Sequence, residues 1–138
     1  MILIDTGPLV ALADPGDSQN AVAVVQFERL RSRPLATCVP VLAEACFHLS
    51  APHVRRNLRQ FMEKFGVSIV APENQDLTLG GTFRWLEKYA DHVPDFADGW
   101  IAVLSGSDER LKLWTFDGEF RTHWRRPDGS PIPLAVDD

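Results

Sequence analysis

Short apolar runs alternate along the chain with longer stretches in which apolar positions recur every three or four residues, a pattern that predicts alternating strands and helices. Ile2-Leu3-Ile4, broken by Thr6-Gly7-Pro8, reads as a first strand over residues 1–5. Thr6 is placed to cap a helix that Pro8 begins and that Leu9, Val10 and Leu12 carry to the turn Asp14-Pro15-Gly16-Asp17. Asp17 or Ser18 then caps a second helix, with Val22 and Val25 on one side and Val24, Phe27 and Leu30 on another. Residues 35–39 read as a second strand, and Pro40 opens a third helix over 41–49. A fourth helix spans 53–64 on the stripe Val54, Leu58, Phe61, Met62 and stops at Gly66. A third strand at 67–70 and a fifth helix over 74–89 follow, the helix weakened by its Gly80-Gly81 pair. An apolar helix over 95–105, a fourth strand at 111–116, a turn or short helix at 117–120 and a candidate fifth strand at 132–136 complete the pattern.

This alternation implies an α/β domain whose parallel sheet is covered on both faces. Residues 1–138 carry no internal repeat or linker and fit one domain. In such sheets ligands bind beyond the carboxyl ends of the strands, where Asp5 and Asp117 fall.

Composition narrows the function classes. Apolar residues make up 45% and charged residues 24%, as in an ordinary globular chain rather than a disordered one. No apolar run approaches the roughly 18 residues of a membrane span. Without the basic flank of a signal peptide, export is not expected. Cys38 and Cys46 match no zinc spacing and read as reduced core thiols, so a cytoplasmic location is expected. The net charge of −5 argues against coating nucleic acid by bulk positive charge. It leaves room for an enzyme acting on RNA, because acids gathered around a cation account for part of it. Basic residues cluster at Arg55, Arg56, Arg59 and Lys64, and again at Arg121, His123, Arg125 and Arg126. Those clusters are either solvated faces or guides for an RNA backbone.

Four carboxylates occupy unusual surroundings. Asp5 ends a buried strand and Asp117 ends Leu113-Trp114-Thr115-Phe116. Glu44 lies within Val41-Leu42-Ala43-Glu44-Ala45-Cys46-Phe47, and Asp98 within an otherwise uncharged helix. Three of the four have a bland reading: Asp117-Gly118 is a turn signal, Glu44 suits an exposed stripe, and either Asp95 or Asp98 caps its helix. Together they point to a site for Mg²⁺ or Mn²⁺, hard cations that take oxygen ligands and keep several waters. Thr6 and Thr115 neighbour these acids as candidate hydrogen-bond donors or local caps. Zinc is disfavoured, since His48, His53, His92 and His123 lack a ligand spacing. The chemistry such a cation supports is phosphodiester hydrolysis. Asp5-Thr6-Gly7 also matches the aspartic-protease tripeptide, but that dyad needs two such loops on an all-β fold. A haloacid dehalogenase-type phosphatase needs an acid where Gly7 stands, and no glycine-rich phosphate loop is present.

Ile2-Leu3-Ile4-Asp5-Thr6-Gly7-Pro8, Val41-Leu42-Ala43-Glu44-Ala45, Asp95-Phe96-Ala97-Asp98 and Thr115-Phe116-Asp117-Gly118-Glu119-Phe120 occur in the order and approximate spacing of PIN (PilT N-terminal) domains. Over nearly its whole length the chain resembles VapC-type ribonuclease toxins of toxin–antitoxin pairs. The resemblance implies a three-layer α/β/α sandwich with a central parallel five-stranded sheet and Mg²⁺- or Mn²⁺-dependent endoribonuclease activity. It matches Asp5, Glu44, Asp98 and Asp117 to the family's acidic quartet, with Asp5 and Asp98 as the metal ligands. Thr6 matches the hydroxyl residue that often follows the first aspartate, and Asp95 an acid that only some members carry. Gly99 and Trp100 depart from the pattern, which favours alanine or another small residue there. The resemblance further implies an RNA substrate, a cognate antitoxin and a homodimer, with no membrane association. The competing reading is a catalytically inactive PIN-like module that binds protein or RNA.

Overall fold

The computed structural model describes residues 1–137. Its strands are β1 (Ile2–Ile4), β2 (Leu35–Thr37), β3 (Ser68–Ile69) and β4 (Lys112–Trp114), and all neighbours pair in parallel in the order β3-β2-β1-β4. Around them lie the helices α1 (Thr6–Ala13), α2 (Asn20–Leu30), α3 (Val39–His48), α4 (Pro52–Phe65), α5 (Gln75–Lys88), α6 (Phe96–Ser107) and α7 (Glu119–Thr122), plus a 3-10 turn at Ala90–His92. The apolar triplet of β1 and the Leu-Ala-Thr of β2 are wholly buried, as a sheet covered by helices requires, and the buried Thr37 hydroxyl donates to Ile4 O at 2.9 Å.

The sheet has four strands, where the sequence pattern predicts five. Residues 132–136 do run beside β4, with Leu113 N–H donating to Pro133 O at 2.8 Å and Ala135 N–H to Leu113 O at 2.7 Å. They form only a single parallel bridge, Leu113 to Leu134. Pro133 has no N–H to extend the ladder towards its start, where Pro131 bridges to Arg125 instead.

Helix boundaries follow local chemistry. Asp5, not Thr6, caps α1 by accepting from Thr6 N–H. Neither Asp17 nor Ser18 caps α2, whose N-cap Gln19 makes no side-chain bond; Asp17 instead accepts from Gln19 N–H in the preceding turn. Gly66 ends α4 at φ 62°, a left-handed conformation that glycine adopts without strain. The Gly80-Gly81 pair neither breaks nor ends α5. α5 packs extensively on α6, and Gly99 makes that approach close: a Cβ there would stand 3.1 Å from both Thr82 Cγ2 and Trp85 Cε3. α1 in turn packs on α2, α3 and α4, and α3 touches α6. Cys38 is a buried free thiol, and burial pushes its pKa up to about 12. No helix among the described residues is long and apolar enough to cross a membrane.

The strand order has one functional consequence. From β1 the chain builds outward to β2 and β3 on one side, then returns to add β4 on the other. The carboxyl ends of β1 and β4 therefore flank the point where the winding reverses, the usual place for a ligand crevice.

Candidate active site

Asp5 follows β1 and Thr115 follows β4, and the register that pairs Ile4 with Trp114 sets them side by side. Asp5 N–H donates to Trp114 O at 2.9 Å, locking the two strand ends together. The Asp5 carboxylate then accepts twice, at Oδ1 from Thr6 N–H (2.8 Å) and at Oδ2 from the Thr115 hydroxyl (2.7 Å). Thr115 Oγ1 in turn accepts from Asp117 N–H at 3.0 Å. Across the crevice, α3 presents Glu44, whose Oε2 accepts from the Thr6 hydroxyl at 2.9 Å. Thr6 and Thr115 thus each orient one acid.

The N-terminus of α6 supplies a third wall. Asp95 and Asp98 form a reciprocal capping box: Asp98 N–H donates to Asp95 Oδ1 and Asp95 N–H to Asp98 Oδ2, both at 3.0 Å. Asp117 accepts from Glu119 N–H through Oδ1 at 2.9 Å, which is the turn duty its Asp-Gly sequence signals.

All four quartet acids, with Thr6 and Asp95, line one open pocket of ≈ 450 Å³. Asp14, Asp17, Gln19 and His48 also line it, and among the described residues neither Lys nor Arg does. Seven carboxylates thus face a single space with one imidazole among them. His48 Nε2 lies 3.9 Å from Glu44 Oε1.

The electrostatic consequence is large. Burial raises the Asp98 carboxyl to about 9, and the charges of Asp95 and Asp5 add to the rise. Burial likewise lifts Asp5 to about 6, against the opposing bonds from Thr115 and Thr6 and with the charges of Glu44 and Asp95 adding to it. Glu44 is raised as well, by burial first and by Asp95 among the charges. Asp95 therefore bears on the other three acids, a central position that sequence reasoning gives only an auxiliary one.

A divalent cation fits this arrangement. No N–H or O–H among the described residues donates to the second oxygens of Asp95, Asp98 and Asp117, all of which line the pocket. The donors are carboxylates and hydroxyls, the oxygen chemistry that Mg²⁺ and Mn²⁺ select. The acids are not drawn into a tight cage: the one group of three candidate ligands within 4.8 Å of each other among the described residues lies elsewhere. An open ring of acids suits an ion that keeps most of its waters.

Asp14 and Asp17 escape sequence reasoning because their Pro-Gly surroundings explain them as turn residues. His48 carried a usable signal, the i, i+4 spacing from Glu44 on one helix. Of the basic residues read as RNA guides, Arg55 donates to the carbonyls of Cys46 and Leu49, and Arg121 to those of Val136 and Asp137. Arg55 closes off the C-terminal end of α3, Arg121 holds the backbone at 136–137, and neither lines the pocket.

No protein-family model matches the chain, and no curated protein matches it. Among solved structures the chain is similar to Mycobacterium tuberculosis VapC20, a sarcin–ricin loop cleaving toxin, with a TM-score of 0.68. Identity is 20%, and the match covers 88% of this chain and 93% of that one. At that identity the likeness speaks for the fold, and it agrees with the motifs in the sequence: this is an α/β chain with the fold of a VapC-type PIN-domain toxin.

Proposed function

We propose that the chain is a Mg²⁺- or Mn²⁺-dependent endoribonuclease, the toxin of a type II toxin–antitoxin pair. The observation that carries the reading is the pocket at the reversal of the sheet, where seven carboxylates converge without a lysine or arginine. Asp5 and Asp98 are buried within this ring of acids, and buried like charges are costly unless a cation is bound. When bound, the cation supplies positive charge to a scissile phosphate and lowers the pKa of a water at neutral pH.

The protein's part is to hold its carboxylates still. Thr115 and the Thr6 N–H fix Asp5, the Thr6 hydroxyl fixes Glu44, and the capping box fixes Asp98. Asp5 and Asp98 are assigned as the metal-holding pair, being the most buried acids of the quartet. Glu44, Asp95 and Asp117 orient the waters around them. The reaction is attack of water on phosphorus with cleavage of the P–O3′ bond, leaving a 5′-phosphate and a 3′-hydroxyl that takes up a proton. The RNA loop named for VapC20 is a natural first substrate. Exposed apolar residues on α2 (Val22, Val25) and α3 (Phe47) offer surface for an antitoxin or a second copy of the chain.

The test is cleavage of defined RNAs, a sarcin–ricin loop oligonucleotide among them, with Mg²⁺, with Mn²⁺ and with a chelator. Metal-dependent cleavage that Asp5→Asn and Asp98→Asn each abolish, without loss of circular dichroism, is the expected result. RNA affinity without turnover would establish a binding module instead.

A further inference from the structure

A second cluster of ligand-type side chains lies outside the acid pocket. His92 ends the 3-10 turn, Glu119 opens α7, and His123 follows α7. Glu119 and His123 stand at i, i+4 while His92 is remote from both in sequence, and the fold brings one candidate ligand atom from each within 4.8 Å of the others. Glu119 Oε2 is 3.3 Å from His123 Nδ1 and 3.7 Å from His92 Nδ1. Two ligands of a tetrahedral zinc bound at about 2.0 Å stand about 3.3 Å apart, so little movement would close the site.

Two further observations point to a cation. Glu119 Oε2 is shut off from solvent and has no hydrogen-bond partner, an uncompensated acceptor at the centre of the cluster. The two imidazole rings lie with centroids 4.5 Å apart, so protonating both to satisfy one carboxylate oxygen sets two positive rings against each other. A single divalent ion satisfies all three groups with neutral imidazoles. The Thr122 hydroxyl donates to Gly118 O at 3.1 Å and also lies 2.8 Å from His123 Nδ1. Zinc at Nδ1 takes the place of that contact, with the proton of the neutral ring on Nε2.

We propose that His92, Glu119 and His123 form a zinc site with a fourth position open to water. Two imidazoles and one carboxylate are the donor set zinc takes in three-ligand sites, and nitrogen donors disfavour Mg²⁺. The ion clamps the turn before α6 to α7, and Glu119 N–H already holds Asp117 Oδ1. Zinc thereby stiffens the segment that presents Asp117 to the acid pocket. The site shares no residue with that pocket, so it stands or falls independently of the nuclease reading.

The experiment uses the untagged full chain carrying Asp98→Asn, with Mg²⁺ in excess to occupy any remaining acid site. Zn²⁺ is titrated in competition with a chromophoric chelator, and Co²⁺ is added to a parallel sample. One equivalent of Zn²⁺ per chain is expected, and Co²⁺ should give the intense visible bands of four-coordination. His92→Ala and His123→Ala, exposed positions on separate elements, should each weaken binding more than about 100-fold, beyond the loss from an outer-shell partner. Circular dichroism checks that both variants fold. Weak six-coordinate Co²⁺ bands, or Zn²⁺ binding unchanged in both histidine variants, would overturn the proposal.

Discussion

Replacing Asp98 with Asn tests the electrostatics of the acid pocket without any assumption about catalysis. Asp98 is 7% exposed, and burial with the neighbouring Asp95 and Asp5 raises its carboxyl from 3.8 to about 9. Between those values the folded chain holds a proton that the unfolded chain releases. Stability is therefore highest below the unfolded pKa and is lost as pH rises towards the folded one. Each pH unit is worth about 1.4 kcal/mol, so from pH 5 to pH 8 one such group costs about 4 kcal/mol. Water in the open pocket screens part of the repulsion, which brings the expected loss to about 2–4 kcal/mol. In urea, with a slope of about 2 kcal/mol per molar, the midpoint should fall by about 1–2 M across that range.

The assay is urea unfolding in chelator at pH 5, 6, 7 and 8, for the natural chain and for Asp98→Asn. Asparagine keeps an oxygen for Asp95 N–H, so the capping box survives while the charge is gone. The variant should lose most of the pH dependence and be the more stable chain at pH 8. Comparing the two chains removes the contribution of every other group, since the two differ only at Asp98. Added Mg²⁺ should restore the natural chain at pH 8 and do less for the variant. A midpoint that stays level or rises from pH 5 to 8 in the natural chain would refute the reasoning, as would a variant that tracks it.

Thr115→Val removes the hydroxyl that donates to Asp5 Oδ2, so the Asp5 carboxyl should climb further above about 6. Mg²⁺ affinity at pH 6, followed by calorimetry, should fall about tenfold, the worth of one hydrogen bond to a charged group. Two glycines should respond in opposite directions when urea midpoints are compared. Gly80→Ala should stabilise by about 0.5–1 kcal/mol; its Cβ would meet only the flexible tip of Arg84. Gly99→Ala should destabilise by about 1 kcal/mol, because overpacking against Thr82 and Trp85 outweighs the gain in helix propensity.

Most of the scaffold was legible because the strands are short, apolar and bounded by Pro and Gly, and the helices carry clear stripes. The misreadings have local causes. Residues 132–136 have the apolar content of a strand, but prolines deny them a ladder. Thr6 looked like a cap because it precedes Pro8, yet its hydroxyl reaches α3 to orient Glu44. Arg55 and Arg121 looked free because charge clusters show sequence neighbours and not the backbone carbonyls that folding brings to them. His92 and His123 were dismissed because the histidines show no His-to-His ligand spacing; the i, i+4 pair of Glu119 with His123 went unweighed, and only the fold brings His92 beside it.

The acids present a subtler case. From sequence, helix capping and cavity lining are competing explanations for Asp95 and Asp98, and turn duty competes with both for Asp117. The structure makes them complementary, because a carboxylate has two oxygens. One oxygen each of Asp95, Asp98 and Asp117 accepts from a backbone N–H, which fixes the side chain's orientation. The other oxygen is then held towards the pocket without a rotamer cost at the moment a cation arrives. A capping signature therefore counts in favour of a metal-site carboxylate when the capped terminus opens onto other acids. For Asp95 that shifts the weight from a cap that happens to be nearby to a fixed member of the charged ring, set between Glu44 and Asp98 in the very place where its charge raises both.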